Sequence, residues 1–253
     1  MDLTLTAQEQ EGEIVFFLEY CTALFKLETM ERFSRHFISL LQEVVEAPDK
    51  RIEDFTLKGR DGGVGSFRCY IIGESTLPTR AAEILMRRGH RVLGIISDDP
   101  QVISWCREKN IPGMGFNETA LKSFLNRPFD YLLSINNRHV LTPDILDLPG
   151  KGAINFHDSP LPRGAGMHAT TWALMEQETR YAVTWHEMDN GIDTGPILVQ
   201  TPVEIAPNET AGSLNMKCYE AALAGLETLI SEWEKGGPTP RAQDPAGRTY
   251  NPS

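Results

Sequence analysis

Asn155 and His157 stand two positions apart at the end of "GAINFH" (152–157), and Asp158 follows at once. If that run is a strand, the alternation of side chains puts Asn155 and His157 on one face, so two polar groups meet at one strand end. The next stretch, "SPLPRGAG" (159–166), combines prolines of fixed φ with glycines that let the backbone pass close to a ligand. A second polar turn, "MDNGIDTG" (188–195), carries Asp189 and Asp193 between two strand-like runs, as a working loop on a rigid scaffold does. An amide, an imidazole and a carboxylate together suit acyl transfer to an amine. As the attacking amine becomes cationic and the carbonyl carbon tetrahedral, an oxyanion must be stabilised and a proton removed. The Asn155 amide can donate to the oxyanion, His157 can donate as well or relay the proton, and Asp193 can hold the imidazole in one orientation. No Gly-x-Ser-x-Gly elbow accompanies them, which favours direct transfer over a covalent acyl-enzyme.

An alternating pattern must hold these residues in place. "FRCYIIGES", "RVLGIISDD", "FDYLLSIN" and "GAINFH" read as short apolar strands, with "TRAAEILMRRGH" and "QVISWCREKNI" as helices between them. Strand, helix, strand in this rhythm predicts right-handed crossovers and an α/β fold: a Rossmann-like, mostly parallel sheet with helices on both faces. "YAVTWHEMDNGIDTGPILVQTPVEI" adds two strands around the acidic loop, and "SLNMKCYEAALAGLETLISEWEKGG" a long helix ending in Gly-Gly. Gly73 alone follows the first of these strands, short of the Gly-x-Gly-x-x-Gly that a dinucleotide needs, so no nucleotide cofactor is expected. Upstream, "EIVFFLEYCTALF" predicts a strand and "TMERFSRHFISLLQEVVEAP" a helix capped by Thr29 and stopped by Pro48. A strand and one helix close no core of their own, so the stripe Phe33, Phe37 and Leu41 is expected to dock on something.

The 253 residues carry a formal net charge of −11 and form no basic stripe, which argues against a nucleic-acid partner. No leader and no membrane-length apolar run is visible, so a cytoplasmic protein without a membrane partner is expected. Cys21, Cys69, Cys106 and Cys218 lack Cys-x-x-Cys spacing, and neither a metal site nor a disulfide framework is expected.

"INFHDSPLPRGAG" followed by "MDNGIDTGPIL" resembles the formyltransferases that use 10-formyltetrahydrofolate. The resemblance covers about residues 67–235 and implies the formyltransferase fold, with the family's catalytic Asn, His and Asp falling on Asn155, His157 and Asp193. It also implies a folate pocket lined by Arg138, His139, Val140 and Leu141 and by the acidic loop with Asp189 and Gly191. Asp158 and Pro160 depart from the commoner family form and resemble the formylation domains embedded in nonribosomal peptide synthetases. Residues 1–58 resemble the C-terminal end of a synthetase condensation domain, without its histidine motif. The implied order is a condensation-like remnant (1–58), a linker (59–66), the formyltransferase domain (67–237) and an extended tail or linker (238–253). The implied acceptor is the amine of an aminoacyl thioester on a carrier protein, with neighbouring synthetase domains as partners. The alternatives are a stand-alone enzyme acting on an amino sugar or hydroxyornithine, and a folate-binding or structural domain without catalysis.

Overall fold

The computed structural model describes residues 2–10, 13–25, 27–46, 48 and 66–252, and the chain divides into two compact units, 1–63 and 64–253. The predicted linker 59–66 lies outside the described residues except for Ser66.

The first unit holds two strands rather than the one expected: β1 (Leu3–Gln10) pairs antiparallel with β2 (Glu13–Tyr20). β1 reads "LTLTAQEQ", whose threonines and glutamines alternate with only two leucines, and this polarity hides the strand from a hydrophobic pattern. Helix α1 (Leu27–Glu46) starts two residues before Thr29, which therefore sits inside the first turn instead of capping it. Phe16 of β2 meets Phe37 of α1 edge-on at 5.2 Å.

In the second unit a seven-stranded sheet is built from β3 (Arg68–Gly73), β4 (Arg91–Ile96), β5 (Gly113–Met114), β6 (Tyr131–Ile135), β7 (Gly152–His157), β9 (Arg180–Glu187) and β10 (Ile197–Glu204). Their order is β10-β9-β7-β6-β3-β4-β5; β7, β6, β3, β4 and β5 are mutually parallel, β9 runs against β7, and β10 against β9. The crossovers carry α2 (Leu77–Arg87), α3 (Pro100–Glu108), α4 (Glu118–Phe124) and α5 (Pro143–Leu146). After β7 come a two-residue strand β8 (Ala165–Gly166), α6 (Ala169–Met175) and, beyond β10, the long α7 (Ala211–Glu234).

Strand alternation divides the core in two. Cys69 and Ile71 of β3 face one cluster with Leu85, Leu226 and Ile230 of α2 and α7, whereas Tyr70 and Ile72 face another with Leu121 and Ile145 of α4 and α5. Ile154 and Phe156 of β7 enter the first cluster, so Asn155 and His157 take the opposite face. Both lie toward the C-terminal end of β7, beside the reversal from parallel to antiparallel pairing, where open sheets leave a crevice.

The segment 238–253, expected as an extended tail or linker, packs against the second unit's sheet and carries a short helical turn at Pro245–Gly247. Arg241 bridges Ile197, and β11 (Tyr250–Asn251) pairs in parallel with β8.

Candidate active site

Pairing with β9 gives the strand-end polar groups their third partner. His186 lies directly opposite Asn155, and its Nε2 is 3.1 Å from the Asn155 Nδ2. The His186 Nδ1 lies 2.7 Å from the Glu187 carbonyl; a carbonyl only accepts, so Nδ1 carries the proton. In the neutral ring Nε2 therefore accepts from the Asn155 amide, whose second N–H is left for a substrate oxygen. The same reasoning fixes His157. Its Nε2 lies 2.9 Å from the Gly164 carbonyl and so carries a proton, which leaves Nδ1 as the working nitrogen, 3.8 Å from Asp193 Oδ2.

Asp193 closes the group. Its Oδ2 accepts the Gly166 N–H at 2.9 Å, and its Oδ1 lies 3.6 Å from His186 Nε2. The side chains of His157, His186 and Asp193 are 9%, 3% and 11% exposed, so their mutual electrostatics act largely out of water. Burial pushes the Asp193 carboxyl up, but the His186 ring 3.6 Å away, the positive charge that His157 and His186 carry when protonated and the Gly166 N–H outweigh it and hold the group down at about 2. Asp193 is ionised throughout the physiological range and stands ready to receive a developing cation. Its backbone has φ 53°, a left-handed conformation that aspartate tolerates better than most residues.

Close backbone approach explains two of the glycines. A Cβ on Gly166 would lie 2.2 Å from the Asn251 carbonyl oxygen, and one on Gly195 would lie 1.9 Å from that of Glu187. These positions bring the loop 158–167 against the tail and the loop 188–195 against the end of β9.

The other expected site residues do not touch this group. Arg138 and Val140 are exposed, Leu141 is buried in the second core cluster, and His139 stacks on Phe116 at 3.7 Å with its Nε2 on Asp98 at 3.0 Å. Asp189 organises its own turn, accepting from the Gly191 N–H at 3.0 Å and the Thr194 hydroxyl at 2.5 Å. Glu74, Asp98 and His139 bring ligand-type atoms within 4.8 Å of one another; Glu74 is occupied by the Ser97 hydroxyl and the Asp98 N–H, and Asp98 by His139. A cavity of about 440 Å³ opens at the other end of the strands, lined by Tyr131, Lys151, Trp233 and Gly236 among others, remote from Asn155 and His157.

Residues 102–230, just over half of the chain, match the formyl transferase family, and the matched stretch contains Asn155, His157, His186 and Asp193. The chain belongs to that family. Upstream of it, residues 1–61 match the condensation domain. Among curated proteins this formyl transferase chain is 29% identical over 203 residues to the methionyl-tRNA formyltransferase of Anaeromyxobacter dehalogenans (strain 2CP-1 / ATCC BAA-258); the match covers 72% of this chain and 64% of that protein. The chain thus spans less than two thirds of that relative. It shares its fold with a glycinamide ribonucleotide transformylase from Symbiobacterium toebii (TM-score 0.62, 18% identity, 72% of this chain and 96% of that one). It also shares it with an N-formyltransferase from Helicobacter canadensis solved with folinic acid and dTDP-3-aminofucose (TM-score 0.62, 18% identity, 73% of this chain and 70% of that one).

Sequence reasoning missed His186. In "TWHEMD" it is one of several alternating residues on a strand, and only the antiparallel register of β9 against β7 sets it opposite Asn155.

Proposed function

We propose that the chain is a formyltransferase domain of a nonribosomal peptide synthetase, moving a formyl group from 10-formyltetrahydrofolate to the amine of an aminoacyl thioester on a carrier protein. The observation that carries this reading is one chain with a condensation-domain segment at 1–61 upstream of a formyl transferase segment that holds Asn155, His157 and Asp193 together. The folate-bound relative from Helicobacter canadensis supports the donor. The condensation segment supports synthetase domains as partners, and a cytoplasmic setting belongs to the same reading.

The formyl donor supplies an activated carbonyl, and the residues do the rest. The free N–H of the Asn155 amide and a proton on His157 Nδ1 meet the carbonyl oxygen as it gathers charge. Asp193, held ionised, orients His157 and draws the proton from the amine as the new C–N bond forms. That proton is then available to the departing folate nitrogen. Arg138, the main chain at 138–141, Asp189 and Gly191 belong in this reading to the wall of the folate pocket.

The test is a mass-spectrometric formylation assay with 10-formyltetrahydrofolate and a panel of aminoacyl-loaded carrier proteins, beside free amino acids and amino sugars. A gain of one formyl group on carrier-bound substrates alone is the expected result. Formylation of a free amine instead replaces this reading with a stand-alone enzyme, and no product on any acceptor overturns it. Replacing one oxyanion donor costs on the order of a hundredfold or more in rate. His157→Ala is expected to lose at least that much with an unchanged circular dichroism spectrum.

A further inference from the structure

We infer that the C-terminal segment 241–251 is a positioning strap for the formyl-transfer site, with Gln243 and Arg248 holding the main chain of Asp193 and Thr249 holding that of Gly164. The strap lies outside the stretch 102–230 that matches the family. It reaches the site from both sides.

On the side of the acidic loop, the Gln243 amide nitrogen donates to the carbonyls of Asp193 at 3.0 Å and Gly195 at 2.7 Å. Both hydrogens of that amide are spent on these two carbonyls, and its buried Oε1 takes no partner among the described residues, so the loop and not the tail dictates how the amide lies. Arg248 adds Nη1 to the Asp193 carbonyl at 3.4 Å and Nη2 to that of Ile192 at 2.9 Å. Its guanidinium stands 5.9 Å from the Tyr250 ring centre, within reach of a cation–π contact. Asp193 occupies the left-handed region, and such a backbone persists where its surroundings over-determine it. Two donors on its own carbonyl and a third on its carboxylate do so.

On the side of the proline loop, the Gly164 N–H donates to the Thr249 hydroxyl at 2.7 Å and the Ala165 N–H to the Thr249 carbonyl at 3.1 Å. The Met167 N–H donates to the Asn251 carbonyl at 3.1 Å. Gly164 presents the carbonyl that accepts His157 Nε2–H, and Gly166, between Ala165 and Met167, presents the N–H that donates to Asp193 Oδ2. One segment of the tail therefore fixes the main-chain groups that orient both His157 and Asp193. None of the strap side chains reaches the reacting atoms; they act through the loops.

The inference rests on the proposed transfer activity, and the experiment separates the two. Gln243→Glu keeps size and shape but exchanges a double donor for an acceptor facing two carbonyls. Arg248→Ala removes the second clamp, Arg248→Lys restores a donor, and Thr249→Val tests the other loop with a change of similar volume. Each variant is read by steady-state kinetics, thermal melting and the ¹⁵N resonances of the His157 ring followed across pH, with His186 and Asp193 as the other titrating groups facing it. Small displacements of catalytic groups cost up to about a hundredfold. Gln243→Glu, Arg248→Ala and Thr249→Val are expected to lose about tenfold to a hundredfold in kcat with little change in KM for the folate, and to shift the His157 Nδ1 signal. Arg248→Lys should recover most of the loss. Wild-type kcat together with unmoved His157 signals in folded Gln243→Glu and Thr249→Val overturns the strap. A wild-type protein that formylates nothing overturns the activity instead, and the His157 signals then decide the strap alone.

Discussion

At Asp193 a penalty from burial is opposed by the two histidines and the Gly166 N–H, and the opposition settles the carboxyl near 2 against an ordinary value of 3.8. A shift approaching two units corresponds to about 2 kcal/mol of stability. The sign follows from linkage: a carboxyl depressed in the folded state contributes above its unfolded value and loses that contribution as pH falls toward its folded value. Urea unfolding from pH about 5 down to about 2 is expected to show a decline in the wild type that Asp193→Asn lacks by roughly 2 kcal/mol. Equal slopes for the two proteins would place the stabilising contacts elsewhere. At this scale Asn155 and His157 were legible because a six-residue apolar strand ended in two polar groups of equal parity. Asp193 was legible with Asp189 as a carboxylate of a glycine-bearing turn between two strands, and the resemblance singles it out of the two. His186 was not, since its role depends on a register between strands thirty residues apart in sequence, and no local pattern encodes that.

Short elements set the fine geometry, and they were the least readable. β5, β8 and β11 have two residues each and α5 has four, too few to show any period. The longer elements β3, β4, β6, β7, α2, α3 and α7 show theirs and emerged from the pattern. β8 illustrates what such a fragment does: Gly166 donates to Asp193 Oδ2 while its φ of 97° and the Asn251 carbonyl leave no room for a side chain. Strain at such a backbone costs roughly 1–3 kcal/mol. Gly166→Ala is expected to lower stability by at least that much, because the Cβ would also press on Asn251. Transfer should fall with it, measured by thermal melting beside the formylation rate. An alanine variant as stable and active as wild type would mean that β8 and β11 can separate without consequence for the site.

The two units differ in what they bury. In residues 64–253 both faces of the sheet are covered, with Ile71, Leu85, Ile95, Leu133 and Leu226 fully enclosed. In residues 1–63, Met30 alone is buried among the described residues, while Ile14, Phe17, Leu24 and Leu27 stand 67%, 46%, 61% and 62% exposed. A hairpin and one helix with that exposure enclose little apolar surface, and chains of this size are marginal even with a full core. Residues 1–61 are also the stretch that matches a condensation domain, so the two units differ in family as well as in burial. The 64–253 segment prepared alone is therefore expected to unfold in one cooperative transition and to keep whatever formyl transfer the whole chain has. The 1–63 segment alone should show a broad, non-cooperative change in far-ultraviolet circular dichroism or self-associate through its apolar side chains. A sharp melt from monomeric 1–63 would show that the hairpin and α1 close a core after all; loss of folding in 64–253 would show that the second unit needs the first in order to fold.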